Sequence, residues 1–207
     1  MRYPAPFLLV VVMLSGCLII DDRQPPSEGA EVLQLQDRKL FEVGRRAESQ
    51  GNGKIAGDTY GWLAGRGSHY GEYGLAMLLL RRKPGSREAV KLLISCAKHS
   101  GNTPDLFPDP SMDSAFTVAA MAKLSDIAVS EHGRPDIAAS LRSKMSGIVT
   151  PEVLGWVEKM KADADSVAIY GDVISAVESC RTSREYVKNF KWSEISKVFL
   201  NEEPGRE

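Results

Sequence analysis

The chain has 207 residues, with 26 lysines and arginines against 27 aspartates and glutamates, and a formal net charge of −1 at pH 7. A charge this balanced argues against a polycationic nucleic-acid binder and against a disordered tail of one charge sign. A chain of this length can bury a substantial core. We therefore expect one globular domain that does not bind nucleic acid.

The first twenty residues are dominated by an apolar run that follows a single positive side chain. Arg2 precedes Phe7–Leu14, in which no side chain is polar, and the apolar character continues to Ile20 with one interruption at Ser15 and Gly16. A helix of about 14 residues, rising about 1.5 Å per residue, is too short to cross a hydrocarbon core of about 30 Å. The pattern is typical of the n-region and h-region of a secretory signal peptide.

Within this run, the tetrapeptide Leu14-Ser15-Gly16-Cys17 resembles the lipobox of bacterial lipoproteins, and all four positions fit. Small side chains at Ser15 and Gly16 let the backbone enter a protease cleft, and the Cys17 thiol is the good nucleophile of the segment. The resemblance implies cleavage before Cys17, an S-diacylglycerol on its thiol and an N-palmitoyl group on its new amino group. The alternatives are an ordinary signal peptide and a buried N-terminal helix with a chance cysteine.

The resemblance also implies a location. In Gram-negative lipoproteins an aspartate directly after the cysteine tends to hold the protein in the inner membrane, and here this position is Leu18. We therefore expect an anchor in the outer membrane with the domain facing the periplasm. In a Gram-positive organism the location becomes the outer face of the cytoplasmic membrane. Two or three acyl chains would make the anchor stable, since a single chain gives only reversible binding.

Changes in composition divide the chain into four parts. Residues 1–16 are assigned to the signal peptide, and residues 17–30 to the lipidated cysteine and a polar tether that contains Pro25-Pro26. Residues 31–200 are assigned to an α-helical domain, and residues 201–207 to a loose tail.

Helical periodicity runs through the whole domain, and no stretch shows the sustained alternation of a strand. The first helix is predicted from about Ala30 to the Gly51-Asn52-Gly53 stop. Further helices are predicted over Leu75–Arg82, Arg87–Ser100, Ser111 or Asp113 to Glu131, Asp136–Met145, from Pro151 onwards, Asp165–Cys180 and Ser193–Leu200. Ser86, Thr150 and either Ser111 or Asp113 are predicted N-caps. We predict an all-α fold, either a short α-solenoid of helix-turn-helix units or an irregular helical bundle.

One helix pair, over about residues 70–102, resembles a Sel1-like repeat of the tetratricopeptide class. The matching residues are Tyr73, Leu75-Ala76, Leu79, Ser86, Glu88-Ala89, Leu92-Leu93, Cys96-Ala97 and Gly101-Asn102. The loop between the helices is shortened to Lys83-Pro84-Gly85, and Leu92 stands where the family has an aromatic residue. Residues 39–52 match residues 89–102 more weakly, whereas a solenoid needs about three repeats. The resemblance implies a protein-binding role.

The sequence contains no catalytic motif. His69, His99 and His132 each lack a metal-ligand partner at i+3 or i+4, and no serine lies in a G-x-S-x-G elbow. The loop Gly65–Gly71 lacks the G-K-[ST] ending of a phosphate-binding loop, so close helix packing with a flexible connector is the preferred interpretation of this glycine-rich segment. For Cys96, which has His99 three residues on, a core thiol is the preferred interpretation over a nucleophile. We expect neither a cofactor nor a metal ion.

Two sets of residues leave alternatives open. Cys96 and Cys180 either form a disulfide in an oxidising periplasm or remain two separate buried thiols. The aromatic residues of segment 57–73 either pack in the core, which is the preferred interpretation, or form a glycan- or peptide-binding surface. These aromatic residues are Tyr60, Trp62, Tyr70 and Tyr73.

Together these features predict a membrane-anchored lipoprotein that is a protein-binding or scaffold module and not an enzyme. It would be an accessory subunit of a secretion or envelope-assembly system. Its partners would be the bilayer, through acylated Cys17, and unidentified envelope proteins. The alternative is a periplasmic protein that binds or acts on cell wall or glycan, for which the scattered acidic residues do not nominate a carboxylate pair.

Overall fold

The structure is a computed structural model, and it describes residues 26–98, 110–180 and 190–201. Helices account for most of these residues, and no β-strand occurs among them. The described helices are α1 (Pro26–Ser49), α2 (Gly53–Gly65), α3 (His69–Arg82), α4 (Arg87–Lys98), α5 (Pro110–Ser130), α6 (Pro135–Ser146), α7 (Pro151–Lys161), α8 (Ala164–Cys180) and α9 (Trp192–Asn201). The all-α fold is therefore confirmed. The lipobox lies outside the described residues.

The largest difference from the predicted boundaries lies in the glycine- and aromatic-rich segment 57–73, for which no helix is predicted. This segment contains most of α2 and the start of α3. The turn between them passes through Gly67, whose φ of +75° favours glycine. Asn52 caps α2 by accepting a hydrogen bond from the Ile55 amide. A further difference is that α1 begins at Pro26, within the residues assigned to the tether.

The predicted N-caps are confirmed in two of three places. The Thr150 side chain accepts a hydrogen bond from the Val153 amide, and Pro151 occupies the first turn of α7. The Ser86 hydroxyl accepts from the Ala89 amide at 3.4 Å. The predicted start of α5 at Ser111 or Asp113 is wrong, because α5 begins at Pro110 and the fixed φ of proline suits a first helical turn.

The start of α6 carries an exposed ion pair that was not predicted. The Arg134 guanidinium donates to both carboxylate oxygens of Asp136, at 2.9 and 2.8 Å. These hydrogen bonds are the main cause that lowers the pKa of Asp136 to about 2. The pair fixes a negative charge in the first turn of the helix, where the helix dipole favours it.

We expect Arg134→Ala to raise the pKa of Asp136 towards its usual value of 3.8, as measured by NMR titration of the side-chain carboxyl. A lowered pKa in the folded state stabilises the fold above the usual pKa, and this contribution is lost as the pH falls to about 2. As the pH falls from above 3.8 to about 2, the free energy of unfolding should therefore decrease less in the variant than in the native protein. Arg142→Ala is the control. An unchanged Asp136 pKa in Arg134→Ala would contradict the bidentate pair.

The helices form a closed bundle instead of an open solenoid. Helices α1 to α6 pack mostly against their neighbours in sequence, as repeats would. However, α8 packs against α5 and α7 and also reaches α1, and α9 returns to α4. In a solenoid each unit contacts only its neighbours. Of the two predicted architectures, the described residues therefore adopt the irregular helical bundle.

Aromatic side chains form the centre of this bundle, around Phe116 of α5. The Phe116 ring is fully buried and meets the rings of Phe41, Tyr70 and Tyr73 edge to face, with centroids 5.1, 5.0 and 5.4 Å away. Tyr170 of α8 lies 6.3 Å from the same ring. These distances and angles are those that aromatic quadrupoles prefer. The cluster therefore links α1, α3, α5 and α8.

Glycines let α1, α2 and α3 approach each other closely. A Cβ atom on Gly44 or Gly74 would lie 2.5 or 2.7 Å from the Tyr60 ring, so the ring lies between two glycines of different helices. A Cβ on Gly71 would lie 2.3 Å from Leu63 Cβ and 2.4 Å from the Ala64 backbone nitrogen. The preferred interpretation of the glycine-rich segment, close helix packing with a connecting turn, is confirmed.

Candidate functional site

Three of the four aromatic residues offered as a binding surface are buried. Tyr60, Tyr70 and Tyr73 expose 0%, 7% and 2% of their surface. Core packing is therefore correct for these three, and the glycan- or peptide-binding surface is wrong. The physical reason is that glycines on α1 and α3 admit the Tyr60 ring, while the Tyr70 and Tyr73 rings pack against Phe116. Trp62 alone is exposed, at 51%.

The two cysteines are separate free thiols, and both are buried. Cys96 Sγ lies 3.8 Å from the backbone oxygens of His69 and Phe116, whereas Cys180 Sγ contacts Met145 Sδ at 3.6 Å. The disulfide is therefore absent. Burial raises the pKa of Cys96 well above its usual value, which supports a core thiol over a nucleophile. Its predicted neighbour His99 lies outside the described residues.

Two buried carboxylates flank Cys96, and sequence reasoning missed them as a pair. Glu72 of α3 accepts a hydrogen bond from Ser95 Oγ at 2.6 Å, and Asp113 of α5 accepts one from Tyr70 OH at 2.9 Å. After burial, these two charges are the next causes of the raised Cys96 pKa. The carboxylates expose only 6% and 9% of their surface. They are held inside the bundle, whereas glycoside hydrolysis uses carboxylates that face the substrate.

A second polar cluster joins α8 to α1 and α3. Arg45 of α1 donates to the Ile169 carbonyl at 2.8 Å and to Asp172 Oδ1 at 2.9 Å, while Tyr73 OH donates to Asp172 Oδ2 at 3.2 Å. Glu48 lies between the guanidinium groups of Arg45 and Arg81, at 3.6 and 2.8 Å. We call this set the Arg45 cluster. It closes the bundle by connecting residues that are far apart in sequence.

Tyrosine hydroxyls extend this polar layer above the aromatic core. Tyr60 OH donates to Glu48 at 3.3 Å, and Tyr170 OH donates to Glu42 at 2.9 Å. Burial, followed by the neighbouring carboxylates, raises the pKa of both tyrosines, so both hydroxyls stay protonated at neutral pH. The polar tips of the rings are thus satisfied while the rings pack in the core.

We expect Arg45→Met to lower the free energy of unfolding by about 2 kcal/mol, because it leaves Asp172 and Glu48 with less compensation in a half-buried site. The measurement is urea unfolding followed by circular dichroism. Arg46→Met, at the exposed next position, is the matched control and should stay within about 0.5 kcal/mol of the native protein. Equal effects of the two substitutions would show that the Arg45 cluster adds nothing to stability.

Other kinds of site receive no support from the described residues. Among them, no group of three or more histidine, cysteine, aspartate or glutamate side chains is placed to hold a metal ion. None of the helices in the described ranges combines the length and apolar character needed to cross a membrane. A groove between the ends of α3 and α5 has a volume of about 200 Å³, below the usual size of a ligand pocket.

Exposed basic and acidic side chains are divided unevenly between the first and second halves of the chain. Over the described residues 36–98, on α1 to α4, ten exposed side chains are basic and two are acidic. The basic ones are Lys39, Arg46, Lys54, Arg66, Arg81, Arg82, Lys83, Arg87, Lys91 and Lys98, and the acidic ones are Asp58 and Glu88. We call this surface the basic half.

The opposite excess is found on α5 to α8 and their connections. Over residues 111–180, eight exposed side chains are acidic and four are basic. The acidic ones are Asp126, Glu131, Asp136, Glu152, Glu158, Asp163, Asp165 and Glu178, and the basic ones are Arg142, Lys144, Lys159 and Lys161. We call this surface the acidic half. The balanced total charge conceals this division, which a charge count by segment would have found.

Three of the five large apolar side chains that are exposed among the described residues lie on the first two helices, and the other two, Val129 and Val167, lie on α5 and α8. Val43 of α1 and Ile55 and Trp62 of α2 expose 46%, 48% and 51% of their surface. The Arg66 guanidinium lies over the Trp62 ring, 4.6 Å from its centroid. The basic half thus combines cations with exposed apolar groups, a combination suited to binding.

Comparison of the chain with protein-family models, with curated proteins and with solved structures yields no match. The Sel1-like assignment of residues 70–102 therefore stays a prediction, and its Gly101-Asn102 lies outside the described residues.

Proposed function

We propose that this chain is a lipid-anchored adaptor of the bacterial envelope, in which acylated Cys17 holds a helical bundle at a membrane and the bundle binds an envelope protein. The proposal rests on the division of surface charge, because the basic half and the acidic half have opposite excess charge. Electrostatic complementarity selects partners and fixes their orientation. Two faces of opposite charge can therefore engage two different partners at once.

The anchor of this adaptor is close to the bundle. Eight residues separate Cys17 from Pro26, where α1 begins. Nine peptide steps span at most about 30 Å, so a lipid on Cys17 would keep Pro26, the start of α1, within that distance of the membrane. Confinement of this kind raises the effective concentration of the bundle for any envelope partner. With Leu18 after the cysteine, the outer membrane facing the periplasm is the proposed location in a Gram-negative cell.

The acidic half is the proposed binding face for the envelope protein, which would present a basic surface. Glu158 of α7 and Asp165 and Glu178 of α8 are all exposed on it. The glycan-binding alternative loses its main support because Tyr60 and Tyr70 are in the core. An accessory role in a secretion or envelope-assembly system fits a chain that offers charged surfaces and a short tether.

Site-specific photo-crosslinking in living cells tests the proposal. A photoreactive amino acid at Asp165 should capture a discrete envelope protein, while the same group at Lys91, on the basic half, should not capture that protein. Capture should be lost with Cys17→Ala and weakened by the double reversal Glu158→Lys, Glu178→Lys. Identical captures from both positions, or capture of cell-wall fragments alone, would overturn the adaptor role.

A further inference from the structure

The outer face of the α1–α2 hairpin combines exposed apolar groups, a tryptophan among them, with mostly basic exposed side chains. On α2, Ile55 and Trp62 are seven residues apart and therefore share one side of the helix. Arg66 directly follows the last residue of α2, and its guanidinium lies over the Trp62 ring. Arg66 lowers the pKa of Asp37 on α1, although burial of that carboxyl raises it more strongly. The Arg66 side of α2 therefore borders α1.

On α1, the helical repeat places Val43 on the outer side. Gly44 faces the Tyr60 ring, and Arg45, one residue further, reaches α8. Successive residues turn by about 100°, so Val43, one residue before Gly44, lies on the side away from α8. Lys39 and Arg46, four residues before and three after, share this side. Both helices thus present cations around exposed apolar groups.

Charge on this face is predominantly positive. Between residues 36 and 68, the exposed charged side chains are four basic ones and the single acid Asp58. The basic ones are Lys39, Arg46, Lys54 and Arg66. Asp58, three residues after Ile55 and four before Trp62, shares their side of α2. Among the partly buried ions of the same helices, Arg38 pairs with Glu42 and Arg45 with Glu48, which leaves the acid Asp37. Four cations against Asp58 and Asp37 give this face a net positive charge.

We propose that this face of the α1–α2 hairpin, made of Val43, Ile55 and Trp62 with the four cations, docks on an anionic phospholipid surface. Tryptophan favours the boundary between headgroups and acyl chains, and basic side chains near an anionic surface each contribute to binding. The hairpin is also the first element after Cys17 among the described residues, so the proposal rests on the proposed anchor. Docking would press the basic half against the lipid and turn the acidic half towards the envelope partner.

The test uses the full lipidated chain, reconstituted in vesicles of phosphatidylglycerol and phosphatidylethanolamine, or of phosphatidylcholine alone. Brominated acyl chains quench tryptophan fluorescence only at contact. The emission of Trp62 is obtained by subtracting that of Trp62→Phe, which retains Trp156 and Trp192. We expect strong quenching of Trp62 on anionic vesicles and weak quenching on neutral ones. Added salt should reduce the quenching, because it screens exposed charges.

Charge-reversed variants make the test specific. Lys54→Glu with Arg66→Glu should abolish Trp62 quenching. Its control, Lys144→Glu with Lys159→Glu, reverses as many charges on the acidic half and should leave the quenching unchanged. Circular dichroism checks that both variants stay folded. Lipid docking is overturned if Trp62 is not quenched, if quenching is equal on neutral vesicles, or if the first variant leaves it unchanged. These results would also be expected if the basic face bound an acidic protein instead of lipid.

The same samples separate this inference from the proposed function. Mass spectrometry reports whether Cys17 carries lipid, independently of Trp62. Lipidated protein without Trp62 quenching would overturn the docking and leave the anchor standing. Chain without lipid would overturn the anchor whatever Trp62 does.

Discussion

Phe116→Ala should lower the free energy of unfolding by about 3 to 5 kcal/mol, the largest effect that we expect from a single core substitution. The ring is fully buried and contacts three aromatic residues edge to face, so its removal leaves a cavity lined by side chains from three helices. Natural domains have a total stability of about 5 to 15 kcal/mol, so the variant should be close to unfolding. The measurement is urea unfolding followed by circular dichroism.

Two controls accompany this substitution. Phe116→Leu keeps most of the volume and should cost less than Phe116→Ala. Val129→Ala, at a position that is 48% exposed on the same helix, should stay within about 0.5 kcal/mol of the native protein. A loss below 1 kcal/mol for Phe116→Ala would mean that the aromatic cluster does not organise the core.

Gly71→Ala should also destabilise the fold, by about 2 to 3 kcal/mol, as overpacking does. The new Cβ would lie 2.4 Å from a backbone nitrogen of α2, and backbone cannot rotate away as a flexible side chain can. This clash outweighs the gain of about 0.5 to 1 kcal/mol that alanine usually brings inside a helix. Calorimetric or urea unfolding of the purified variant measures the change.

Gly61→Ala is the matched control for this glycine. Gly61 lies on α2, and a Cβ there meets no atom within 4 Å. The substitution should therefore stabilise the protein, by up to about 1 kcal/mol. If both variants changed stability in the same direction, the close approach of α2 and α3 at Gly71 would be wrong.

The parts of the fold that could be predicted from the sequence depend on neighbouring residues. Apolar residues at helical spacing indicated most of the helices, and caps such as Thr150 act over three residues. Helix α2 and the start of α3 were missed for a physical reason. Their glycines weaken local helix propensity, and α2 is stabilised by its Tyr60 ring, which lies between Gly44 of α1 and Gly74 of α3.

Long-range polar contacts were equally beyond sequence reasoning. Arg45 and Asp172 are 127 residues apart, and Tyr70 and Asp113 are 43 apart. From the sequence alone, Asp113 was a candidate helix cap. In the fold, its carboxylate accepts a hydrogen bond from the hydroxyl group of the buried Tyr70. The basic half and the acidic half could have been predicted from the sequence, because basic and acidic residues are already segregated along the chain.

Exposed basic and acidic side chains follow each other along the chain. The tether leads into α1, the basic half includes α1 to α4, and the acidic half follows on α5 to α8. The Arg45 cluster and the aromatic core tie the two halves together, so that an orientation imposed on one is transmitted to the other. An adaptor built in this way would present its acidic half at a fixed angle to the membrane.

The lipid anchor is tested most directly by mass spectrometry of the N-terminus of the native protein, purified from the membrane fraction. We expect the chain to begin at Cys17, with a diacylglycerol on the thiol and an acyl group on the amino nitrogen. Cys17→Ala should leave the protein uncleaved at that bond and without the added mass. A chain that begins elsewhere, or that carries Cys17 with a free thiol, would contradict the lipid anchor and with it the proposed adaptor.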